Sequence, residues 1–144
     1  MRRFAGTAWR YFWPAPYTLL ALMFATAIRL SGGIWRCRAG VLEVYGPAAK
    51  RLLAYHPIGG VVAIALGHVI IARDLVTLAQ TSSHERTHVR QFETWGWLFP
   101  LVYSAASLLA WARGGHYYTD NRFERAAEAA SELHHRNAPI GGNR

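Results

Sequence analysis

The first third of the chain combines one long uncharged segment with shorter alternating ones. No charged residue occurs between Tyr11 and Ile28, although Pro14 and Pro16 interrupt the first third of this run. A helix that crosses a bilayer needs about 20 apolar residues. The pattern therefore predicts a hydrophobic helix with three open interpretations: an uncleaved membrane anchor, a helix lying on the domain or in the membrane interface, or a signal peptide that ends near Ala25-Thr26-Ala27.

Two pairs of short segments with strand character follow. Residues 34–38 and 41–45 alternate in part between apolar and polar side chains on either side of Ala39-Gly40, which predicts a β-hairpin. Residues 61–66 and 68–72 are rich in Val, Ile and Ala. These two runs predict one or two buried strands joined near Gly67.

Helical patterns dominate the second half of the chain. A helix is predicted over residues 83–96, because Ser82 and Glu85 match the capping box S-x-x-E. Residues 95–112 carry no charge and contain Pro100. This segment either dips into a bilayer or forms a buried helical hairpin.

The last helix is predicted over residues 119–135, where Asn121 and Glu124 match a second capping box. Together these elements predict an α+β fold. We expect a mainly helical single domain with a small β-sheet, made of a hairpin and an edge strand, and an N-terminal hydrophobic helix.

Composition and charge narrow the classes of function. The chain has 144 residues, enough for one compact domain, and only 17% of them are charged. Soluble proteins have about 25% charged residues, so this deficit indicates contact with lipid. The net charge of +8 favours anionic partners, but no helix has the dense basic stripe with interleaved aromatics that would favour nucleic acid. The single cysteine, Cys37, excludes an intramolecular disulfide.

The most informative motif is H-E-x-x-H. His84 and His88 are four residues apart, so that on a helix both imidazoles lie on one face and can bind one metal ion. Glu85 beside them is suited to act as a general base. Catalytic zinc usually has three protein ligands, and the best third candidate is Glu124. Glu128, one turn further on, can fix the tautomer of a ligand histidine or exchange roles with Glu124.

A simpler interpretation of the two acids is open. Glu85 and Glu124 both occupy the third position of a possible capping box and can be caps without further function, with the histidines as surface residues. Caps do not explain two histidines at i and i+4. If the enzyme interpretation holds, a second electrophile is expected, and His116, Tyr117 and Tyr118 precede the last helix as candidates.

The segments HERTHVRQ (84–91) and NRFERA (121–126) resemble zincin metallopeptidases of the gluzincin type. They are also similar to a set of small, uncharacterised bacterial membrane-associated proteins. The resemblance covers about residues 60–130. It implies zinc bound by His84, His88 and Glu124, with Glu85 as base. It also implies that a strand at 67–72 is a sheet edge that holds an extended peptide.

The expected function is therefore a zinc-dependent hydrolase, foremost a membrane-associated metallopeptidase with Zn²⁺ as cofactor and a peptide or protein substrate at the bacterial inner membrane. The alternative is a non-catalytic, metal-stabilised zincin-like domain that binds a partner or lipid. We expect residues 1–30 to be the hydrophobic, membrane-associating segment and residues 31–135 the metal-binding domain. Residues 136–144 are expected to be a flexible tail.

Overall fold

A computed structural model of the chain describes residues 8–55 and 60–137. Residues 1–7 of the predicted N-terminal segment and 138–144 of the predicted tail lie outside these ranges. The predicted α+β fold is confirmed, with a helical segment over residues 8–12 before the first full helix. The helices are α1 (Ala15–Leu30), α2 (Pro47–Ala54), α3 (Leu75–Trp95), α4 (Phe99–Ala112) and α5 (Arg122–Asn137), and the strands are β1 (Ile34–Arg38), β2 (Val41–Tyr45), β3 (Ala63–Leu66) and β4 (Val69–Ala72).

The four strands form one mixed sheet in the order β1-β2-β4-β3. The predicted hairpin of β1 and β2 is confirmed at its predicted residues, and β3 and β4 form a second antiparallel pair. Ala39 and Gly40 connect β1 to β2 with positive φ angles of 50° and 76°. Two positive φ angles in a two-residue turn match the natural twist of a hairpin.

The edge strand differs from the expectation. β2 pairs in parallel with β4, from Leu42 opposite Val69 to Tyr45 opposite Ala72. β4 therefore has a neighbour on each side, and all four of its residues are buried. The expectation that the strand within 67–72 is an edge is wrong, because a parallel partner far away in sequence covers it. Within residues 8–55 and 60–137, the edge strands of the sheet are β1 and β3.

Both faces of the sheet are covered by helices. In β4, Val69 and Ile71 pack with α1 and α2, whereas Ile70 and Ala72 pack with α3. This alternation follows from the two-residue period of a strand. α1 contributes Ala21, Ala25 and Ile28 to the first of these clusters, so the hydrophobic N-terminal helix lies on the domain and forms part of its core.

The motif helix begins earlier than predicted. α3 starts at Leu75, and the side chain of Asp74 accepts a hydrogen bond from the Thr77 N–H at 2.7 Å. The predicted start at Ser83 is wrong, because Asp74 already satisfies the free N–H groups at the true N-terminus. Glu85 lies in the interior of the helix, so it has no capping role.

α3 and α4 are separate helices rather than one long helix. α3 ends at Trp95, the C-cap Gly96 has a φ of 57°, and the 3₁₀ turn Gly96–Leu98 leads into α4. A Cβ at Gly96 would lie 2.2 Å from the Trp13 ring. Within the described residues, only the stretch Leu75–Ala112, counted as if α3, the 3₁₀ turn and α4 were continuous, is long and apolar enough to cross a membrane by length and composition.

Candidate metal centre

α5 crosses α3 and brings the last helix against the H-E-x-x-H motif. The Ser83 hydroxyl donates to the Ala130 carbonyl at 3.3 Å, and the Gln91 side-chain amide donates to the Phe123 carbonyl at 3.1 Å. These bonds hold the two helices on both sides of the motif. As a result, Glu124 lies opposite the two motif histidines.

The three predicted ligands converge. His84 Nε2 lies 3.1 Å from His88 Nε2 and 3.2 Å from Glu124 Oε2. His88 Nε2 lies 3.3 Å from Glu124 Oε1. In a tetrahedral zinc site with bonds of about 2.0–2.1 Å, neighbouring donor atoms are about 3.3–3.4 Å apart. The two contacts to Glu124 use different carboxylate oxygens, and with one donor atom per residue the three atoms lie within 4.8 Å of one another. The donor set therefore has the chemistry of a zinc site, and its side chains are close enough to converge on one ion.

One oxygen of Glu124 supports this fit. Tyr103 donates its hydroxyl hydrogen to Glu124 Oε1 at 2.7 Å. The other oxygen, Oε2, is buried and accepts no hydrogen bond from the described residues, although His84 Nε2 lies 3.2 Å away as an ion-pair contact. Buried carboxylate oxygens are rarely left without a donor or a cation. A cation held between Oε2 and the two imidazoles would satisfy it.

The tautomer of His88 is set by Gln91. The Gln91 NH₂ group donates to the Phe123 carbonyl, so Gln91 Oε1 faces His88 Nδ1 at 2.8 Å. An amide oxygen only accepts, so Nδ1 carries the hydrogen and the Nε2 lone pair is free to bind a metal. On the other imidazole, Glu128 Oε2 lies 3.7 Å from His84 Nδ1, within ion-pair range but beyond a hydrogen bond.

The charges of the site favour an ionised third ligand. Burial raises the pKa of Glu124, but the adjacent imidazoles of His84 and His88 and the hydrogen bond from Tyr103 outweigh this effect and hold the pKa well below its usual range. For His88, burial lowers the pKa, but Glu124, Glu85 and Gln91 together raise it above its ordinary value. The pocket is thus built around a carboxylate that attracts positive charge.

Glu85 has a different environment from Glu124. Its side chain is buried, and this burial raises its pKa, while the two histidines and a backbone hydrogen bond from Ala65 oppose the rise. A carboxylate with a raised pKa is a better proton acceptor near neutral pH. Glu85 also lines both of the clefts that meet at the histidines.

Residues of β3 line both clefts. One has a volume of about 270 Å³ and is walled by β3 on one side and by Phe99, Pro100 and Tyr103 of α4 on the other. The second, of about 560 Å³, extends from residues 60–63 towards the loop before α5. His84 and Glu85 line both. The candidate centre is therefore open to a molecule bound beside β3.

The three predicted electrophiles all line the larger cleft. Tyr118 is the one most strongly affected by the site, because burial and the nearby Glu124 carboxylate raise its pKa. His116 is engaged within its own loop, since its Nδ1 accepts from the N–H groups of Tyr118 and Thr119 at 3.2 and 3.3 Å. Tyr117 is exposed and stacks on His116.

The capping interpretation of Glu124 is not supported by its contacts. Asn121 caps α5, and its Oδ1 accepts from the Phe123 N–H at 2.9 Å. A complete capping box would also join the Glu124 side chain to the Asn121 N–H. That N–H instead donates to the Tyr118 carbonyl. α5 consequently begins at Arg122 rather than at the predicted residue 119, and the Glu124 carboxylate faces the histidines.

Three residues support the site in roles that the sequence did not predict: Tyr103, Gln91 and Asn121. Tyr103 and Gln91 contact the ligands directly, and Asn121 joins α4 to α5 through bonds to the Tyr103 carbonyl and the Ser107 hydroxyl. For Gln91 a signal existed, because it follows His88 by three residues and therefore shares its helix face. For Tyr103 no local signal existed, since its contact depends on how α4 packs against α5.

No protein-family model, no curated protein and no solved structure matches this chain. Any function assigned to it therefore rests on the residues of the site.

Proposed function

We propose that this protein is a zinc-dependent hydrolase and, within that class, a metallopeptidase. The observation that supports the proposal is the triangle of His84, His88 and Glu124 donor atoms beside the buried Glu85. Two imidazoles and one carboxylate are a donor set that suits zinc and leaves one tetrahedral position open. A zinc ion bound there would supply a Lewis acid that activates water at neutral pH.

The residues of the chain divide the remaining chemistry. Glu85 accepts the proton of the attacking water, because its burial favours the protonated form. The hydroxyl groups of Tyr103 and Tyr118 lie next to Glu124 and are the nearest neutral donors for a developing oxyanion. Their raised pKa values keep both hydroxyls protonated and able to donate.

An extended polypeptide is the substrate class that the cleft favours. Among the described residues β3 is an edge strand, and the smaller cleft is bordered by β3 and α4. Unpaired N–H and C=O groups of an edge strand bind an extended chain by adding it to the sheet. Such a chain would pass close to Glu85, because Glu85 lines the same cleft as Ala65 of β3.

The first test is the metal content of purified wild-type protein, His88→Ala and Glu124→Ala. We expect about one zinc per chain in the wild type and a loss in both variants, because each removes one of three ligands. His134→Ala is the matched control, since His134 is an exposed histidine of α5. Zinc-free wild-type protein after reconstitution with zinc would refute the metal centre.

The second test separates turnover from binding. Glu85→Gln removes the base but no ligand, so it should keep the zinc and abolish hydrolysis of a peptide library. Retained zinc with no hydrolysis by the wild type would instead favour the non-catalytic, metal-stabilised domain. Equal hydrolysis by the wild type and Glu85→Gln would refute the role of Glu85.

A further inference from the structure

The outer side of α1 has an unusual distribution of residue sizes. Its buried side consists of Ala21, Ala25 and Ile28, so that mainly small residues face the sheet. The larger apolar residues face outward. The exposed ones are Leu19, Leu20, Met23, Phe24 and Leu30, with 64% of Leu19 and 70% of Met23 accessible. A surface helix in water shows the opposite arrangement, with charged residues on its outer face.

The outer side of α4 is also apolar, although its inner side includes large residues such as Phe99. Its exposed positions are Leu101, Ser104, Ala105, Leu108, Leu109, Trp111 and Ala112. None of them is charged. Leu101 and Leu108 are each 62% exposed. In the stretch Leu75–Ala112, only 17% of the most apolar segment of 18 residues is buried.

An exposed aromatic cluster joins the two helices. Trp13, just before α1, stacks on Trp9 at 5.1 Å between ring centroids and meets Trp97, just before α4, edge-on at 6.3 Å. Trp9, Phe12 and Trp97 remain exposed. We use the term outer apolar surface for this cluster together with the exposed faces of α1 and α4. Exposed apolar surfaces of this kind mark contact with a membrane or a partner.

The charges around this surface favour an anionic membrane over a second copy of the chain. Exposed Arg29 and Arg113 stand at the C-terminal ends of the two apolar faces, and the whole chain has a net charge of +8. Two copies that met through this surface would bring like charges together, whereas acidic lipid headgroups would attract them. The tryptophans also suit the boundary between headgroups and acyl chains.

The lengths of the helices indicate how such a contact is made. α1 has 16 residues and α4 has 14, which correspond to about 24 and 21 Å at 1.5 Å per residue. Both are shorter than the bilayer core of about 30 Å, and the inner face of α1 is packed on the sheet. Helices of this kind lie parallel to the membrane surface with their apolar face immersed.

We propose that the outer apolar surface inserts in the plane of an anionic phospholipid bilayer and holds the protein on one side of the membrane. The contact does not depend on metal binding. It places the bilayer next to the wall of the β3 cleft, because Phe99, Pro100 and Tyr103 line that cleft from the inner side of α4. If the hydrolase proposal also holds, polypeptides tethered to the membrane are the substrates that reach this cleft first.

Three identical substitutions test the surface. Leu19→Glu and Leu108→Glu place a charge on α1 and α4, and Leu133→Glu is the control on α5, where a leucine is exposed to a similar extent, 55%. Binding is measured by co-sedimentation with vesicles of phosphatidylglycerol and phosphatidylcholine in equal proportion. We expect at least about tenfold weaker binding for Leu19→Glu and Leu108→Glu, and a change within about twofold for Leu133→Glu.

A separate variant tests the contribution of positive charge to vesicle binding. Arg29→Gln should weaken binding to the mixed vesicles about fivefold and leave binding to pure phosphatidylcholine unchanged. A second measurement uses only the wild-type protein, so it does not depend on whether a variant folds. Lipids brominated on their acyl chains should quench its tryptophan emission, because Trp9, Trp97 and Trp111 lie on the surface.

Two outcomes would overturn the proposal. In the first, the wild type shows neither vesicle binding nor quenching. In the second, Leu133→Glu loses as much binding as Leu108→Glu. A dimer in sedimentation velocity that Leu108→Glu dissociates, with vesicle binding unchanged, would assign the surface to a second copy instead. Each readout is independent of zinc content, so failure here and failure of the hydrolase proposal are distinguishable.

Discussion

Glu43→Gln is the substitution that most directly tests how the motif helix is held on the sheet. Glu43 lies in β2 with no exposed surface, between the guanidinium groups of Arg36 and Arg86. Arg86 belongs to the H-E-x-x-H segment and also donates to the Arg38 carbonyl at 3.2 Å. The buried carboxylate therefore joins the sheet to the same turn of α3 that carries the histidines.

The magnitude follows from the burial of the three side chains. Glutamine has nearly the shape of glutamate but leaves the two arginines without a compensating charge. Removing one partner of a buried ion pair lowers the free energy of unfolding by about 3–5 kcal/mol. The arginine side chains remain 31% and 22% exposed, and water then solvates part of their charge. We therefore expect about 3 kcal/mol, equivalent to a fall in Tm of about 6–12 °C.

The assay is chemical and thermal unfolding, with Glu132→Gln as the matched control. Glu132 pairs with Arg136 on the surface of α5, where both side chains are more than half exposed, so its loss should change stability by less than about 0.5 kcal/mol. Zinc bound per folded chain should be the same in both variants, because neither removes a ligand. A loss below about 1 kcal/mol in Glu43→Gln would refute this account of the ion pairs.

Two further predictions concern residues that support the site. Gln91→Leu removes the acceptor of His88 Nδ1, so the affinity for zinc should fall about 10–100-fold in a competition assay with a chelator; an unchanged affinity would show that Gln91 does not set the tautomer. Asn121→Ala removes the α5 cap and the bonds to Tyr103 and Ser107. The free energy of unfolding by urea should fall by about 2–4 kcal/mol, and a loss below about 1 kcal/mol would contradict the role of these bonds.

Local patterns predicted several elements correctly. The hairpin of β1 and β2 was predictable because its turn and its alternating residues are close together in sequence. The start of α3 was not, since Ser82 and Glu85 have the spacing of a capping box although they lie inside the helix. Such a pattern shows that a cap is possible, but the helix begins where a free N–H group actually finds an acceptor, here at Asp74.

The proposed ligands could be chosen from the sequence. Helical spacing alone puts His84 and His88 on one face, and few acidic residues lie in predicted helices. The strand order, in contrast, depends on the parallel pairing of β2 with β4, and no local pattern encodes a pairing across more than 20 residues. The same holds for Tyr103 beside Glu124 and for Arg86 beside Glu43. Periodicity and motif spacing act within one element, whereas these contacts exist only once separate elements pack together.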